Sequence, residues 1–328
     1  MVRMIAIAAL VVLANTAWAG EELRREEGKW ETLAPMPTPR HDLESVAFNG
    51  KIFAVSGAGE RTTPVVEVYD PKANKWSAVA PIPVERGWFG AAVLGGKLYC
   101  VGGKRVRSES EMKASPDNAQ YDLRASVNVY TFADNTWADG PPLCAPRDGM
   151  KAVACGNKIY AIAGNGPKDG LRVEVFDPRT NEWSFGVQLP ENRCAPGAAV
   201  VGGKIYVFGG YGAGGERNDV FIYDPNQGEW TKGKPMPTNR RDLTAVAVGT
   251  RIYCLAGVGN GKYINAVEVY DTEKDSWAVA PPLPAAKAWV GACELNGKVY
   301  VMGGANYDEA KKTYNWISEL QVYAVPAK

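Results

Sequence analysis

Tryptophan recurs along this chain with a period. Trp30, Trp76, Trp137, Trp183, Trp230 and Trp277 are separated by 46, 61, 46, 47 and 47 residues. A fixed period of this length signals one supersecondary unit copied in series, each copy burying its apolar faces against the next. The text between the tryptophans repeats too. A Pro-rich stretch such as APMPTPR (34–40) or KPMPTNR (234–240) leads into a short apolar strand. A tight turn follows, Asn49-Gly50, Gly95-Gly96, Gly202-Gly203 or Asn296-Gly297, and then a second strand such as KIYVF (204–208). The second strand closes on a glycine pair, Gly102-Gly103, Gly209-Gly210 or Gly303-Gly304, degenerating to AG or SG in three copies. After a loop of variable length comes a third strand, VEVYDP at 66–71 or VEVFDP at 173–178. Asn-Gly and Gly-Gly pairs supply the positive φ angles of two-residue hairpins. The apolar residues show no helical period. Each copy is therefore four short antiparallel strands, and units of this size are the blades of a propeller.

The double glycine after an apolar strand, then VYDP, then Trp, resembles the kelch repeat. The resemblance covers residues 30–325 and implies an all-β, six-bladed kelch β-propeller. What it implies for function is broad, because kelch propellers include copper oxidases, a periplasmic sialic acid mutarotase and many protein-binding modules. The sixth copy ends in its third strand (319–325) with no Trp strand after it, whereas the segment at 30–33 is a Trp strand with no copy before it. The N-terminal strand is thus expected to complete blade six and remove an open edge, with residues 20–28 only loosely held.

Residues 1–19, MVRMIAIAALVVLANTAWA, carry one arginine, an apolar run and small residues at Ala17 and Ala19. That is a signal-peptide pattern with cleavage after Ala19, leaving residues 20–328 as a single propeller exported to the periplasm or the medium. With 37 Lys+Arg against 36 Asp+Glu, the charge is balanced. This disfavours a nucleic-acid surface, and the chain is read as a monomer with no membrane span once the leader is removed.

Antiparallel connectivity puts the 2–3 and 4–1 connections on one face, and these are the variable ones. The 4–1 connections align on one basic position: Arg40, Arg86, Arg147, Arg193, Arg240 and Lys287. They either ring the channel mouth or bond loop carbonyls between blades. Beyond the six repeat tryptophans and Trp18, three remain. Trp88 and Trp289 stand two residues after the basic position in blades two and six. Trp316 lies in the long blade-six loop with Tyr307 and Tyr314. Blade one, between them, holds the sole histidine, His41, and Asp42. Blade two carries an insertion within 104–126. The ligand-binding candidates are accordingly Arg40, His41, Asp42, Arg86, Trp88, Arg147, Arg193, Arg240, Trp289 and Trp316; packing between blades is the alternative for the two tryptophans.

A single histidine and no C-x-x-C pair disfavour a metal site, and no cofactor fingerprint or catalytic triad is evident. Export permits disulfides. Cys144 and Cys194, in equivalent loops of blades three and four, are a candidate pair, and Cys100, Cys155, Cys254 and Cys293 read as small buried apolar residues. The leading expectation is a binding module whose loop face takes a carbohydrate, a sugar acid or an acidic partner. The alternatives are a sugar-active enzyme resembling the mutarotase, with Asp42, Asp148 and Asp242 as its carboxylates, and a structural envelope protein.

Overall fold

The computed structural model describes residues 23–114, 119–165 and 170–326; the leader expected over residues 1–19 lies outside them. Six antiparallel sheets form the blades. Blade one runs Glu44–Phe48, Lys51–Val55, Val66–Asp70 and Lys75–Ala78. Blades two to five repeat this order, their inner strands beginning at Gly90, Lys151, Gly197 and Thr244. Blade six takes three strands from the C-terminal end, Gly291–Leu295, Lys298–Met302 and Leu320–Ala324, and its outermost strand, Trp30–Leu33, from the N-terminal end. The closing register pairs Trp30 with Tyr323 and Leu33 with Leu320, as the mismatch of the chain ends predicts. Among the described residues no helix is long and apolar enough to cross a membrane.

A lone four-stranded sheet leaves both its faces wet. Here each face meets the next blade, and the core divides into six clusters, one per interface. Ile52, Ala54 and Tyr69 of blade one, for example, pack on Cys293, Tyr300 and Met302 of blade six. The repeat tryptophans stitch these interfaces. Each indole N–H donates to a carbonyl in the connection leaving the preceding blade: Trp30 to Pro281, Trp76 to Ala34, Trp137 to Ala80, Trp183 to Pro141, Trp230 to Val187 and Trp277 to Lys234, at 2.8–3.1 Å. The Trp period therefore marks six identical joints.

Residues 20–22 lie outside the described residues, but the rest of the segment before Trp30 is not loose. Arg24–Arg25 adds a fifth, parallel strand to the outer edge of blade five, opposite Ala278 and Val279. Glu26 follows it inward, accepting from Arg251 Nη1 at 2.5 Å and from the Tyr253 hydroxyl at 2.9 Å, while Tyr323 of blade six donates to the Glu27 carbonyl at 2.9 Å. A carboxylate held this way between blades five and six is anchored by charge-assisted bonds that two residues of strand pairing alone would not supply.

The aligned basic residues belong to the fold as well. Arg40, Arg86, Arg147, Arg193, Arg240 and Lys287 are at most 2% exposed. Arg40 donates to the Ser56 and Ala54 carbonyls and pairs with Glu67 at 2.5 Å. Arg147 donates to Ala161 and Ala163 and pairs with Glu174 at 3.3 Å, and Arg240 pairs with Glu268 at 2.5 Å. In blade two the partner is Asn128, bonded to Arg86. In blade four Phe221 takes the acid's place in the sequence repeat, so the Arg193 guanidinium lies 4.3 Å over its ring and finds Asp219 at 3.6 Å. The expectation that Arg40, Arg86, Arg147, Arg193 and Arg240 bind ligand is thus corrected: each guanidinium turns into its own blade and bolts the inner strands to the third. Guanidinium suits this role because its fork satisfies two carbonyls and a carboxylate together.

All six cysteines are free. Cys100, Cys155, Cys254 and Cys293 are buried, as expected. The candidate Cys144–Cys194 disulfide does not form. Cys144 stands three residues before its basic residue, exposed, with its backbone N–H donating to Glu174. Cys194 stands one residue after Arg193 and lines the channel mouth. Equivalent loops place these two thiols at different radial positions.

Candidate functional site

The mouth is built from the two residues after each buried basic one. The first of them forms an antiparallel bridge to the residue just past the closing glycine pair: His41 to Ala58, Gly87 to Lys104, Asp148 to Asn165, Cys194 to Tyr211, Arg241 to Val258 and Ala288 to Ala305. The second turns left-handed in all six blades, at φ 52 for Asp42, 54 for Trp88, 61 for Gly149, 51 for Ala195, 56 for Asp242 and 57 for Trp289. That turn breaks the alternation of an extended chain, so in blades three, four and five both residues reach the channel. It also brings the backbones together. Gly149 N–H donates to the Trp88 carbonyl, Ala195 to Gly149, Asp242 to Ala195, Trp289 to Asp242 and Asp42 to Trp289, at 2.7–3.4 Å. Glycine adopts this φ without cost, whereas a bulky residue there is strained by about 1–3 kcal/mol. Blade three uses glycine. Blades two and six use tryptophan, and the half-buried indoles face the mouth rather than wedging between blades.

The cavity above this ring has a volume of about 360 Å³ and is lined by Trp88, Lys104, Asp148, Asn165, Arg241 and Trp289, among others. Asp148 and Asp242 line it and Asp42 lines the narrow space beneath; each of the three is about 6% exposed at the side chain and carries a more exposed basic partner. His41 Nδ1 lies 2.5 Å from Asp42 Oδ2, and Lys104 Nζ lies 2.7 Å from Asp148 Oδ2; Arg241 pairs with Asp242. The His41 ring is held between the two indoles, 5.6 Å from each centroid. Lys104 Nζ stands 3.9 Å over Trp88 and 4.4 Å over Tyr121, so its ammonium is placed by two π faces and one carboxylate. Burial pushes the Asp42 carboxyl up to about 6, the bond from His41 and the Lys104 charge pulling against it and Asp242 pushing with it. Burial raises Asp242 too, opposed chiefly by Arg241.

The channel is closed below. At the start of the inner strands, blades two, four and six carry Gly90, Gly197 and Gly291, and blades one and three carry Glu44 and Lys151. Lys151 Nζ reaches Glu44 Oε1 at 2.7 Å, an ion pair from blade three to blade one across the neck. The neck volume is about 40 Å³, and a separate space of about 320 Å³ lies beneath it.

Hairpins stand around the mouth. Lys104–Val106 pairs with Tyr121–Leu123 in blade two, Tyr211–Gly212 with Gly215–Glu216 in blade four, Val258–Gly259 with Lys262–Tyr263 in blade five, and Ala305–Asp308 with Thr313–Trp316 in blade six. Of the six large apolar side chains most exposed among the described residues, Tyr121, Tyr211, Tyr314 and Trp316 belong to these hairpins.

The structure therefore brings His41, Asp42, Trp88 and Trp289 together at one mouth. It places Trp316 outside the cavity, on the blade-six hairpin, and moves the five arginines into the blades. Sequence reasoning missed Lys104, Arg241, Tyr121, Tyr211 and Tyr263. Two of these were reachable from the repeat: Lys104 follows a closing glycine pair, and Arg241 follows the aligned Arg240. The tyrosines lie in loops of unequal length, where alignment between copies fails.

A family model described as KLHDC2/KLHL20/DRC7 Kelch-repeats domain matches residues 149–324, and one described as Kelch motif matches residues 39–83. Kelch-like protein 36 of Rattus norvegicus is 25% identical over 191 residues, 56% of this chain and 29% of that protein. Kelch-like protein 15 of Danio rerio is 26% identical over 214 residues, 62% of this chain and 28% of that protein. The matches span under a third of the length of these curated relatives. Among solved structures, "Structure of YjhT" superposes with a TM-score of 0.73 at 18% identity, covering 88% of this chain and 95% of that one; at that identity the likeness concerns the fold.

Proposed function

This chain belongs to the kelch-repeat family, and from that premise we propose that it is an exported binding module that takes an acidic carbohydrate in the mouth of its channel. One observation carries the reading. A cavity of about 360 Å³ sits between two half-buried indoles and is lined by two basic side chains, Lys104 and Arg241, each backed by a buried aspartate, while His41, paired with buried Asp42, lies against both indoles. An indole face suits the apolar face of a sugar ring, a guanidinium or ammonium suits its carboxylate, and carboxylates accept its hydroxyls. The volume is at the low end of small-molecule pockets, which run from about 300 to 1,000 Å³, so a single ring fills it. Export rests on the leader-like residues 1–19. The test is a panel of sugars and sugar acids titrated against residues 20–328, with Trp88→Ala and Trp289→Ala in parallel. Binding of a sugar acid that each variant weakens by about 2 kcal/mol or more supports the reading. Failure of every member of the panel overturns it and favours a macromolecular partner.

A second reading, a sugar-active enzyme, is favoured by one feature. A carboxyl pushed up to about 6 beside an imidazole at 2.5 Å is suited to general acid–base catalysis near neutral pH. Acceleration of anomer interconversion in a reducing sugar acid, lost in Asp42→Asn, supports this reading; no acceleration by the native protein removes it.

A further inference from the structure

The binding reading accounts for the cavity, but not for the aromatic wall above it. In the blade-six hairpin, Ala305 pairs with Trp316 and Tyr307 with Tyr314. Residues two apart on a strand share a face. Ala305, Tyr307, Tyr314 and Trp316 therefore form one face, and Asn306, Asp308, Thr313 and Asn315 the other. All the aromatic residues of the hairpin are on the first face, and that face is joined to the mouth. Trp289, which flanks the cavity, lies 6.2 Å from Tyr314, and Tyr314 lies 5.2 Å from Tyr307. Trp316 leans over the blade-one loop at Gly59, where a methyl group in place of the glycine hydrogen would stand 3.9 Å from the indole. Packing does not explain these rings, because Tyr314 is 48% and Trp316 37% exposed. Exposed aromatic surface continuous with a pocket marks a place where something else is bound.

The mouth and the wall differ in what they offer. The mouth is blind, closed by the Lys151–Glu44 pair and the narrow neck. Its walls carry charges, and it has room for one ring. The wall carries aromatic faces, and Asp308, the one charged residue of its two strands, is on the opposite face. Four residues of strand extend roughly 13 Å at about 3.3 Å per residue, which is longer than one sugar ring. We propose that the ligand is an acidic oligosaccharide bound end-on: its terminal acidic sugar enters the mouth, and the following sugars stack on Tyr314 and Trp316. This rests on the reading of the mouth as a sugar-acid site, and it adds that the protein recognises the end of a chain rather than a free monosaccharide.

The experiment is calorimetric titration of the mature protein with galacturonic acid and its linear dimer, trimer and tetramer, and with N-acetylneuraminic acid and its linear dimer and trimer. The expected result is an affinity rising by about tenfold from monomer to trimer in at least one series, the effect of adding an aromatic contact. A series whose oligomers bind while its monomer does not counts as such a rise. In the Tyr314→Ala/Trp316→Ala variant, whose folding is checked by its melting temperature, that rise disappears. A monomer that binds as tightly as its oligomers, oligomers that bind more weakly, or a rise that survives in the variant overturns the end-on proposal while leaving the mouth as a sugar-acid site. No binding by any member of either series overturns both.

Discussion

Lys287→Arg is expected to stabilise the protein. Five blades bolt their inner strands with a buried arginine; blade six uses Lys287, which is completely buried. Its ammonium finds no hydrogen-bond partner among the described residues, the nearest carboxylate oxygen, on Glu319, being 4.0 Å away. The side-chain carbonyl of Gln321, in the strand position that Glu67 and Glu174 hold in blades one and three, is also unpartnered. A guanidinium at 287 would occupy the place of Arg40 and Arg147, which donate to the carbonyls of the second strand and to the third-strand side chain. Two further hydrogen bonds at about 1 kcal/mol each give about 2 kcal/mol. With about 2.1 cal/mol/K of unfolding entropy per residue, that raises the melting temperature by roughly 3 °C. There is also a signature in pH. Burial pulls Lys287 down from 10.5 to about 8. Between those values the unfolded chain holds a proton that the folded one has released, so native stability gains from this group as pH rises through that window. Arginine does not titrate there, and the advantage of Lys287→Arg narrows from pH 7 to pH 10. Thermal melts of the two proteins at both pH values decide the matter. A variant no more stable than the parent at pH 7, or a difference that does not change with pH, refutes the reasoning.

Asp42 should leave its own mark on the stability curve. Because its folded value of about 6 lies above the ordinary 3.8, the native state keeps a proton that the unfolded chain loses, and stability falls as pH rises through that window. Asp42→Asn removes a slope worth about 3 kcal/mol, read as a flatter dependence of urea unfolding on pH between 4 and 6.5; an unchanged slope would falsify the assignment. Trp183→Ala, which loses the bond to Pro141 and the packing on Phe176, should cost about 3–5 kcal/mol, whereas Trp88→Ala at the mouth should stay within about 1 kcal/mol; equal losses in chemical denaturation contradict the division into joints and site. Glu26→Gln weakens the bonds to Arg251 and Tyr253 and should lower stability by about 2 kcal/mol, so a variant that melts with the parent means the N-terminal strap is dispensable.

Much of the fold was legible because it rests on repeated, local instructions. Six Trp joints, hairpin glycines and strand alternation each act over a few residues, and six copies average out the exceptions. Ring closure was legible for a related reason: one end had a strand to spare and the other lacked one. The mouth was legible in part. His41, Asp42, Trp88 and Trp289 depart from the repeat, and departures at one aligned position fall together in space once the ring closes.

The direction of the basic residues was not legible. In an extended chain consecutive side chains point opposite ways, so a shift of one residue decides whether a guanidinium lines a channel or bolts a blade. Arg40 and its counterparts lie on the buried side of that choice, and His41, Asp148 and Arg241 on the open side. The strap escaped notice because pairing over two residues leaves no pattern, and Glu26 finds its partners, Arg251 and Tyr253, on blade five at the far end of the chain. Tyr121, Tyr211 and Tyr263 escaped because their loops do not align between copies, and the Lys104–Trp88–Asp148 contact escaped because it joins the loops of two blades, whose separation along the chain says nothing of their distance. Sequence alone determined the sixfold architecture and its closure, since those follow from periodic local geometry. Which side chains meet in the mouth was decided by the tertiary structure, because that depends on a left-handed turn in each blade and on loops that do not repeat.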